Sequence, residues 1–130
     1  MKLAHLALWV EDLEKMRSFY RTYFGAEAGP KYFNAKKNFE SYFLHFKEGC
    51  RIELMRMPQV TERVEKELLG LAHIAIAVGT KESVDNLTQE LKSGGFRVVS
   101  EPRTTGDGYY ESVILDPEGN RIELWEPPPA

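Results

Sequence analysis

Apolar and polar positions follow the same order twice along this chain of 130 residues. Residues 3–10 and residues 71–78 alternate as strands do, because successive side chains of a strand point to opposite faces of a sheet. Each strand pattern leads into a helical pattern, with apolar residues three or four positions apart, and then into three further short strand patterns. The sequence therefore predicts an α+β fold in which two tandem βαβββ modules form a cupped mixed sheet.

Both predicted helices have suitable capping residues. Asp12 is a suitable N-cap for a helix that runs to about Phe24, and Gly25 is a suitable stop. Thr80 has the same role for a helix that runs to about Ser93. The expected buried stripes are Leu13, Met16, Phe19, Tyr20 and Tyr23 in the first helix, and Val84, Leu87 and Leu91 in the second.

The repeat also predicts the domain organisation. We expect a single domain, 1–130, with a first module at about 1–58 and a second at about 70–127. The charged residues 59–69 are expected to link the modules as a helix or a loop. Further strands are expected near 32–33, 42–46 and 51–57 in the first module, and near 96–102, 109–115 and 121–125 in the second.

Two histidines and two glutamates interrupt the apolar strand patterns at matching places. His73 follows His5 by 68 residues, and Glu123 follows Glu53 by 70. Alternation directs all four side chains to the face that the helices do not cover. A single strand histidine or glutamate is more often a hydrogen-bonded or solvent-facing residue, but two pairs in phase favour a common site. If the modules pair about a pseudo-twofold axis, the four side chains surround one point.

Two imidazoles and two carboxylates are a suitable ligand set for a divalent cation. Mixed nitrogen and oxygen ligands suit Ni, Co, Zn, Mn or Fe, and the lack of a thiolate disfavours a structural zinc site. A cation would also compensate the two carboxylates, which are costly to bury alone. We therefore predict that His5, Glu53, His73 and Glu123 hold one divalent metal ion inside the cupped sheet.

Composition and charge narrow the class of partner. The net charge of −3 gives no electrostatic reason to expect nucleic acid. No continuous apolar run is long enough to span a bilayer, and the N-terminus lacks a signal-peptide pattern. The single cysteine, Cys50, excludes an internal disulfide framework. We expect a cytoplasmic protein that acts on a small molecule, with no nucleic acid and no membrane as partner.

Four further side chains are candidates for the wall of a substrate pocket. Trp9, Met55 and Trp125 share strand faces with the predicted ligands. Tyr109 follows directly after the loop Gly106-Asp107-Gly108 and would border a substrate there. An ordinary core role for these residues is equally compatible with the pattern.

On these residues the chain resembles the vicinal oxygen chelate superfamily, which includes glyoxalase I, bleomycin-resistance proteins and extradiol dioxygenases. The resemblance covers almost the whole chain. It depends on the paired modules, on His5 and the helix that ends at Phe24-Gly25, on residues 71–75, and on the closing hairpin at 116–124. A complete set of two histidines and two glutamates is most similar to bacterial glyoxalase I. The chain departs from that enzyme at Trp9. At the matching position, bacterial glyoxalase I has an arginine that holds glutathione.

The resemblance implies a divalent-metal-dependent enzyme of the lactoylglutathione lyase type, or a related isomerase. Such an enzyme transfers a proton next to a metal-chelated carbonyl, and here Glu123 or Glu53 would move the proton. It further implies a glutathione hemithioacetal as substrate and a homodimer as the assembly. Whether the site forms within one chain or across a dimer interface stays open at this point.

Two other classes of function are compatible with the same residues. The chain could be another enzyme of this superfamily, either an epimerase or an iron ring-cleavage dioxygenase, and the dioxygenases require only two histidines and one glutamate. It could instead be a non-catalytic small-molecule-binding or resistance module. In a further alternative, the four residues bind an ion that only stabilises the fold.

Overall fold

The computed structural model describes residues 1–129, which fall into two compact units. The first unit is Met1–Arg63 and the second begins at Val64. Each unit consists of one helix packed on a mixed β-sheet, which confirms the predicted α+β class and its two modules. Within the described residues, no helix is both long and apolar enough to cross a membrane.

The first unit has a five-stranded sheet in the order β1-β5-β4-β2, with β3 paired to β4. The strands β1 and β5 run parallel and the other pairs are antiparallel. Two short strands, not one, precede β4, because Pro30 has no N–H to donate to a continuous ladder. The elements are β1 (His5–Trp9), α1 (Leu13–Phe24), β2 (Glu27–Ala28), β3 (Tyr32–Asn34), β4 (Phe39–His45) and β5 (Arg51–Arg56).

The second unit repeats this topology with a four-stranded sheet in the order β6-β9-β8-β7. Its first strand is again parallel to its last. The predicted strand at 71–78 is shorter than expected, so His73 lies just before β6 and not inside it. The elements are β6 (Ile74–Ala77), α2 (Lys81–Ser93), β7 (Val98–Thr104), β8 (Tyr110–Leu115) and β9 (Arg121–Trp125).

Helix α1 begins and ends as its capping residues predict. The Asp12 carboxylate accepts a hydrogen bond from the Lys15 backbone N–H at 3.0 Å. Gly25 ends the helix with φ +66°, a left-handed conformation that glycine adopts without strain. Four of the five predicted stripe residues are buried, and Tyr23 is half-buried. The helix therefore covers one face of its sheet, where Leu44, Ile52 and Leu54 form the core.

Helix α2 is capped by Thr80, whose hydroxyl accepts a hydrogen bond from the Ser83 backbone N–H. Its buried stripe contains Thr88 in place of the predicted Leu87, which is half-buried. Burial of the Thr88 hydroxyl is possible because it donates to the Val84 carbonyl and shares a hydrogen bond with Ser112. In both units the helix thus covers one face of the sheet, and we call the other face the site face.

Candidate metal centre

In the first unit, His5 and Glu53 lie together on the site face of neighbouring strands. Glu53 follows Ile52 and precedes Leu54, which are buried on the helix side, so its carboxylate points the other way. His5 Nε2 lies 3.7 Å from Glu53 Oε1. The Glu53 side chain is only 16% exposed. The structure therefore brings one predicted imidazole and one predicted carboxylate into contact.

The second unit builds the same pair from His73 and Glu123. Glu123 lies between Ile122 and Leu124, both fully buried on the helix side. His73 Nε2 lies 3.2 Å from Glu123 Oε2, and the Glu123 side chain is again 16% exposed. The parallel pairing of first and last strands thus produces one His–Glu pair per unit.

The geometry of the His73–Glu123 pair fits two neighbouring ligands of one cation, and the His5–Glu53 pair is close to it. Nitrogen and oxygen donors about 2.1 Å from a metal, at angles between octahedral and tetrahedral, lie about 3.0 to 3.4 Å apart. The His73–Glu123 distance falls in this range and the His5–Glu53 distance is slightly longer. Among residues 1–129, no group of three or more His, Cys, Asp or Glu side chains is close enough to hold a metal ion. Each pair is therefore half of the ligand set that the sequence predicts.

Aromatic contacts orient the histidine of the first unit. The His5 ring meets the Phe43 ring edge-on, with centroids 5.3 Å apart. The Arg51 guanidinium lies 4.5 Å from the centre of the same Phe43 ring. Phe43 is also the residue opposite Glu53 in the sheet. The imidazole is thus supported from its side, which reduces the freedom it would lose on binding a ligand.

Next to the His5–Glu53 pair, the site face of the first unit carries a row of uncharged side chains. Trp9, Met55, Ser41 and Tyr32 are register neighbours across four strands and form one row. Phe39 contacts two rings of this row edge-on, with centroids 6.2 Å from Trp9 and 6.0 Å from Tyr32. Trp9 and Met55 were predicted to line a pocket, and both lie on the face that carries Glu53.

The matching row of the second unit is charged. Trp125 lies opposite Glu111, which in turn lies opposite Arg103. The Tyr109 ring packs at a tilt against Trp125, with centroids 5.2 Å apart. Both predicted pocket residues of this unit are therefore in mutual contact on the face that carries Glu123.

Glu111 is a site residue that the sequence reasoning missed. Burial is the main cause that raises the pKa of Glu111, and the negative charge of the nearby Glu123 carboxylate adds to it. The signal was present in the sequence, because alternation from Val113 across the 116–120 turn places Glu111 on the face of Glu123. It was missed because the matching position of the first module, Ser41, is uncharged.

A charged cluster in the first unit lies away from the site face. The Lys31 ammonium lies 2.7 Å from Glu40, and the Arg56 guanidinium lies 3.1 Å from the same carboxylate. Tyr42 donates a hydrogen bond to Glu14 on α1 at 2.9 Å. Glu40, Tyr42 and Arg56 alternate with the site-face residues of β4 and β5, so the cluster stabilises the packing of α1 and does not belong to the candidate centre.

Comparison with known proteins gives a consistent family. The chain matches the model of the Glyoxalase/Bleomycin resistance protein/Dioxygenase superfamily over residues 2–124. The uncharacterized protein YqjT of Bacillus subtilis is 29% identical over 128 residues, which cover 95% of this chain and 97% of that protein.

Two solved structures share the fold. The trypanothione-dependent glyoxalase I of Leishmania major has a TM-score of 0.79 at 23% identity, with 97% of this chain and 86% of that chain covered. A glyoxalase family protein from Enterococcus faecalis also has a TM-score of 0.79, at 24% identity, with 96% and 97% covered. At these identities, the likeness to both structures concerns the fold alone.

Proposed function

Because this chain belongs to the Glyoxalase/Bleomycin resistance protein/Dioxygenase superfamily, we propose that it is a divalent-metal-dependent enzyme of the glyoxalase type. Its reaction would be a proton transfer next to a carbonyl, either that of a lactoylglutathione lyase or a related isomerisation. The observation that carries the proposal is the repeated His–Glu pair, with 3.7 Å and 3.2 Å between the donor atoms.

In this proposal His5, Glu53, His73 and Glu123 hold one Ni, Co, Zn, Mn or Fe ion. Since each unit supplies two donors, a complete set requires both kinds of unit, from one chain or from two chains of a homodimer. When bound, the cation would act as a Lewis acid toward the oxygens of the substrate. The remaining tasks fall to the side chains of this protein.

The carboxylates of Glu123 and Glu53 are the groups proposed to move the proton. In each, one oxygen faces the neighbouring imidazole, and the Glu123 carboxylate also interacts with the Glu111 side chain. Both side chains are largely shielded from water, which limits exchange of the transferred proton with solvent. A positioned carboxylate of this kind contributes a rate factor of about 10² to 10⁴ as general base and then acid.

The decisive experiment loads the protein with metal and measures whether the transferred hydrogen comes from the substrate or from the solvent. Full-length protein loaded with each of the five metals is incubated with the hemithioacetal of methylglyoxal and glutathione in deuterated water. We expect thioester formation with at least one metal, and a product whose new C–H bond retains a measurable share of substrate hydrogen. The lyase proposal is wrong if no metal supports turnover of this hemithioacetal, and oxygen uptake with a catechol would favour the dioxygenase alternative.

One observation favours a second candidate function. The exposed aromatic rings of Trp9 and Tyr32, with Phe39 between them, would also suit a non-catalytic module that binds an aromatic ligand. Such a module needs no metal, so its thermal stability would be the same with and without a chelator. A protein that binds an aromatic compound tightly but is indifferent to all five metals would support this candidate over the enzyme.

A further inference from the structure

The aromatic subsite, which we define as Trp9, Phe39 and Tyr32, is a preformed but exposed cluster. Phe39 holds the other two rings by edge contacts. Trp9 nevertheless remains 46% exposed and Tyr32 54% exposed. Edge-to-face packing leaves ring faces available, and such faces stack well on a further flat ring.

The position of the subsite connects it with the His5–Glu53 pair. Trp9 lies on the same face of β1 as His5, and the residue between them on that face is the small, exposed Ala7. Met55, the register partner of Trp9, is two residues beyond Glu53, a rise of about 7 Å along the strand. An aryl ring joined to a two-carbon oxo or hydroxy group is short enough to be held within this spacing.

The chemistry of the row selects an uncharged ring. All four of its members, Trp9, Met55, Ser41 and Tyr32, carry uncharged side chains. The thioether of Met55 adds a polarizable wall that makes favourable contacts with aromatic rings. The matching row of the second unit instead carries Glu111 and Arg103, so the preference belongs to the first unit.

From these observations we propose that the aromatic subsite binds an aryl group of the substrate, whose adjacent oxygens are held at the candidate metal centre. The substrate class is then an aryl-substituted 2-oxo or 2-hydroxy compound, free or as a thiol adduct. The inference rests on the proposed function, because it assigns the side group of the same substrate.

The test uses two ligands that share one chelating group and differ only in the side group. Mandelate carries a phenyl ring where lactate carries a methyl group. Binding of each to metal-loaded, full-length protein is measured by calorimetry, with the ratio of the two dissociation constants as the readout. We expect mandelate to bind about tenfold more tightly, a preference that one well-packed aromatic contact can supply.

Substitutions then test which residue causes the preference for mandelate over lactate. Trp9→Ala should reduce the ratio of the dissociation constants to near one. Trp9→Phe keeps an aromatic ring and should retain most of the preference, and it serves as the test if Trp9→Ala fails to fold. Phe33→Ala is the matched control, because Phe33 is an exposed aromatic on the same strand as Tyr32 but points to the opposite face. This control should leave the ratio unchanged.

Three outcomes would overturn the inference, and they differ in what they imply for the enzyme. Equal binding of both acids refutes the subsite and leaves the chelating centre intact. Binding of neither acid refutes the chelating centre as well, and with it the proposed function. A Trp9→Ala variant that changes the oligomeric state in sedimentation, without changing the ratio, assigns this face to a second copy of the chain.

Discussion

In the first unit, the row of side chains beyond Glu53 is uncharged, with Ser41 opposite Met55. In the second unit, the row beyond Glu123 carries Glu111 opposite Trp125. The two sheets otherwise share strand order, strand direction and a His–Glu pair on the face away from the helix. The pairing of the first and last strands brings the two side chains together in both units, whereas the neighbouring row differs. The candidate ligands are therefore alike in both units, and the rows next to them are not.

The largest expected effect concerns the two carboxylates. Glu123→Gln and Glu53→Gln keep the side-chain shape but remove the basic oxygen, so each should lower kcat by about 10² to 10⁴ if its carboxylate moves the proton. Steady-state kinetics on metal-loaded protein would compare the two variants. Glu90→Gln, on the exposed side of α2, is the control that should retain activity.

Unequal losses in that comparison would identify the proton carrier. A much larger loss for Glu123→Gln would assign the proton to the second unit and leave Glu53 as a ligand. Full activity of both variants would contradict the proposed chemistry.

The next effect concerns metal binding by the whole chain. A metal at about a thousand times its dissociation constant stabilises the folded state by about 4 kcal/mol, and a chelator removes this gain. His5→Ala and His73→Ala should each abolish most of the gain, as measured by thermal unfolding with and without metal. If only one substitution has this effect, the ion binds one unit alone and the four-ligand proposal is wrong.

A smaller effect follows from exchanging the residues that distinguish the two rows. Ser41 is only 2% exposed, so Ser41→Glu buries a carboxylate beside Glu53 and should lower the free energy of unfolding by about 3 kcal/mol. Ser41→Ala controls for the lost hydroxyl. Glu111→Ser should change stability by less than about 1 kcal/mol in chemical denaturation, because that position is less buried. Equal effects of Ser41→Glu and Glu111→Ser would show that the rows are equivalent.

The smallest effect tests the charged cluster on the helix side of the first unit. The hydrogen bond from Lys31 is the main cause that lowers the pKa of Glu40, and Arg56 adds to it. A lowered carboxyl pKa stabilises the fold above the unfolded value of about 4.3, and this contribution is lost as pH falls through the folded value. Glu40→Gln should therefore reduce stability by at most about 1 kcal/mol at neutral pH.

The pH dependence supplies the check on that prediction. Urea midpoints at neutral and acidic pH should converge for Glu40→Gln and the parent as the pH drops below the folded pKa of Glu40. A constant difference across the range would mean that the charge of Glu40 is not the cause.

Much of the fold could be predicted from apolar spacing and caps. Asp12 and Gly25 mark the ends of α1, and Arg121–Trp125 is a strand as expected. The errors arise where burial depends on a partner distant in sequence. Thr88 can be buried because its hydroxyl donates to the Val84 carbonyl and accepts from the Ser112 hydroxyl, which helix periodicity does not reveal. The strand before Pro30 was missed because two residues carry too little pattern.

The candidate site was predictable in part for a related reason. Each His–Glu pair follows from strand alternation together with the pairing of first and last strands. Glu111 was not predicted, because a repeat marks only positions with an equal counterpart in both modules, and its counterpart Ser41 is uncharged. That the two pairs complete one centre stays a prediction, which the metal-binding experiment above would test.

In each unit, the strand that is made first pairs with the strand that is made last. His5 and Glu53 are separated by 48 residues, and His73 and Glu123 by 50. Closing a loop of this length costs entropy that nearer contacts do not, so these contacts belong among the last to form. A ribosome-bound chain would thus hold no finished pair until a whole unit has emerged. Capture of a cation by all four side chains would then require that both kinds of unit have been synthesised and folded.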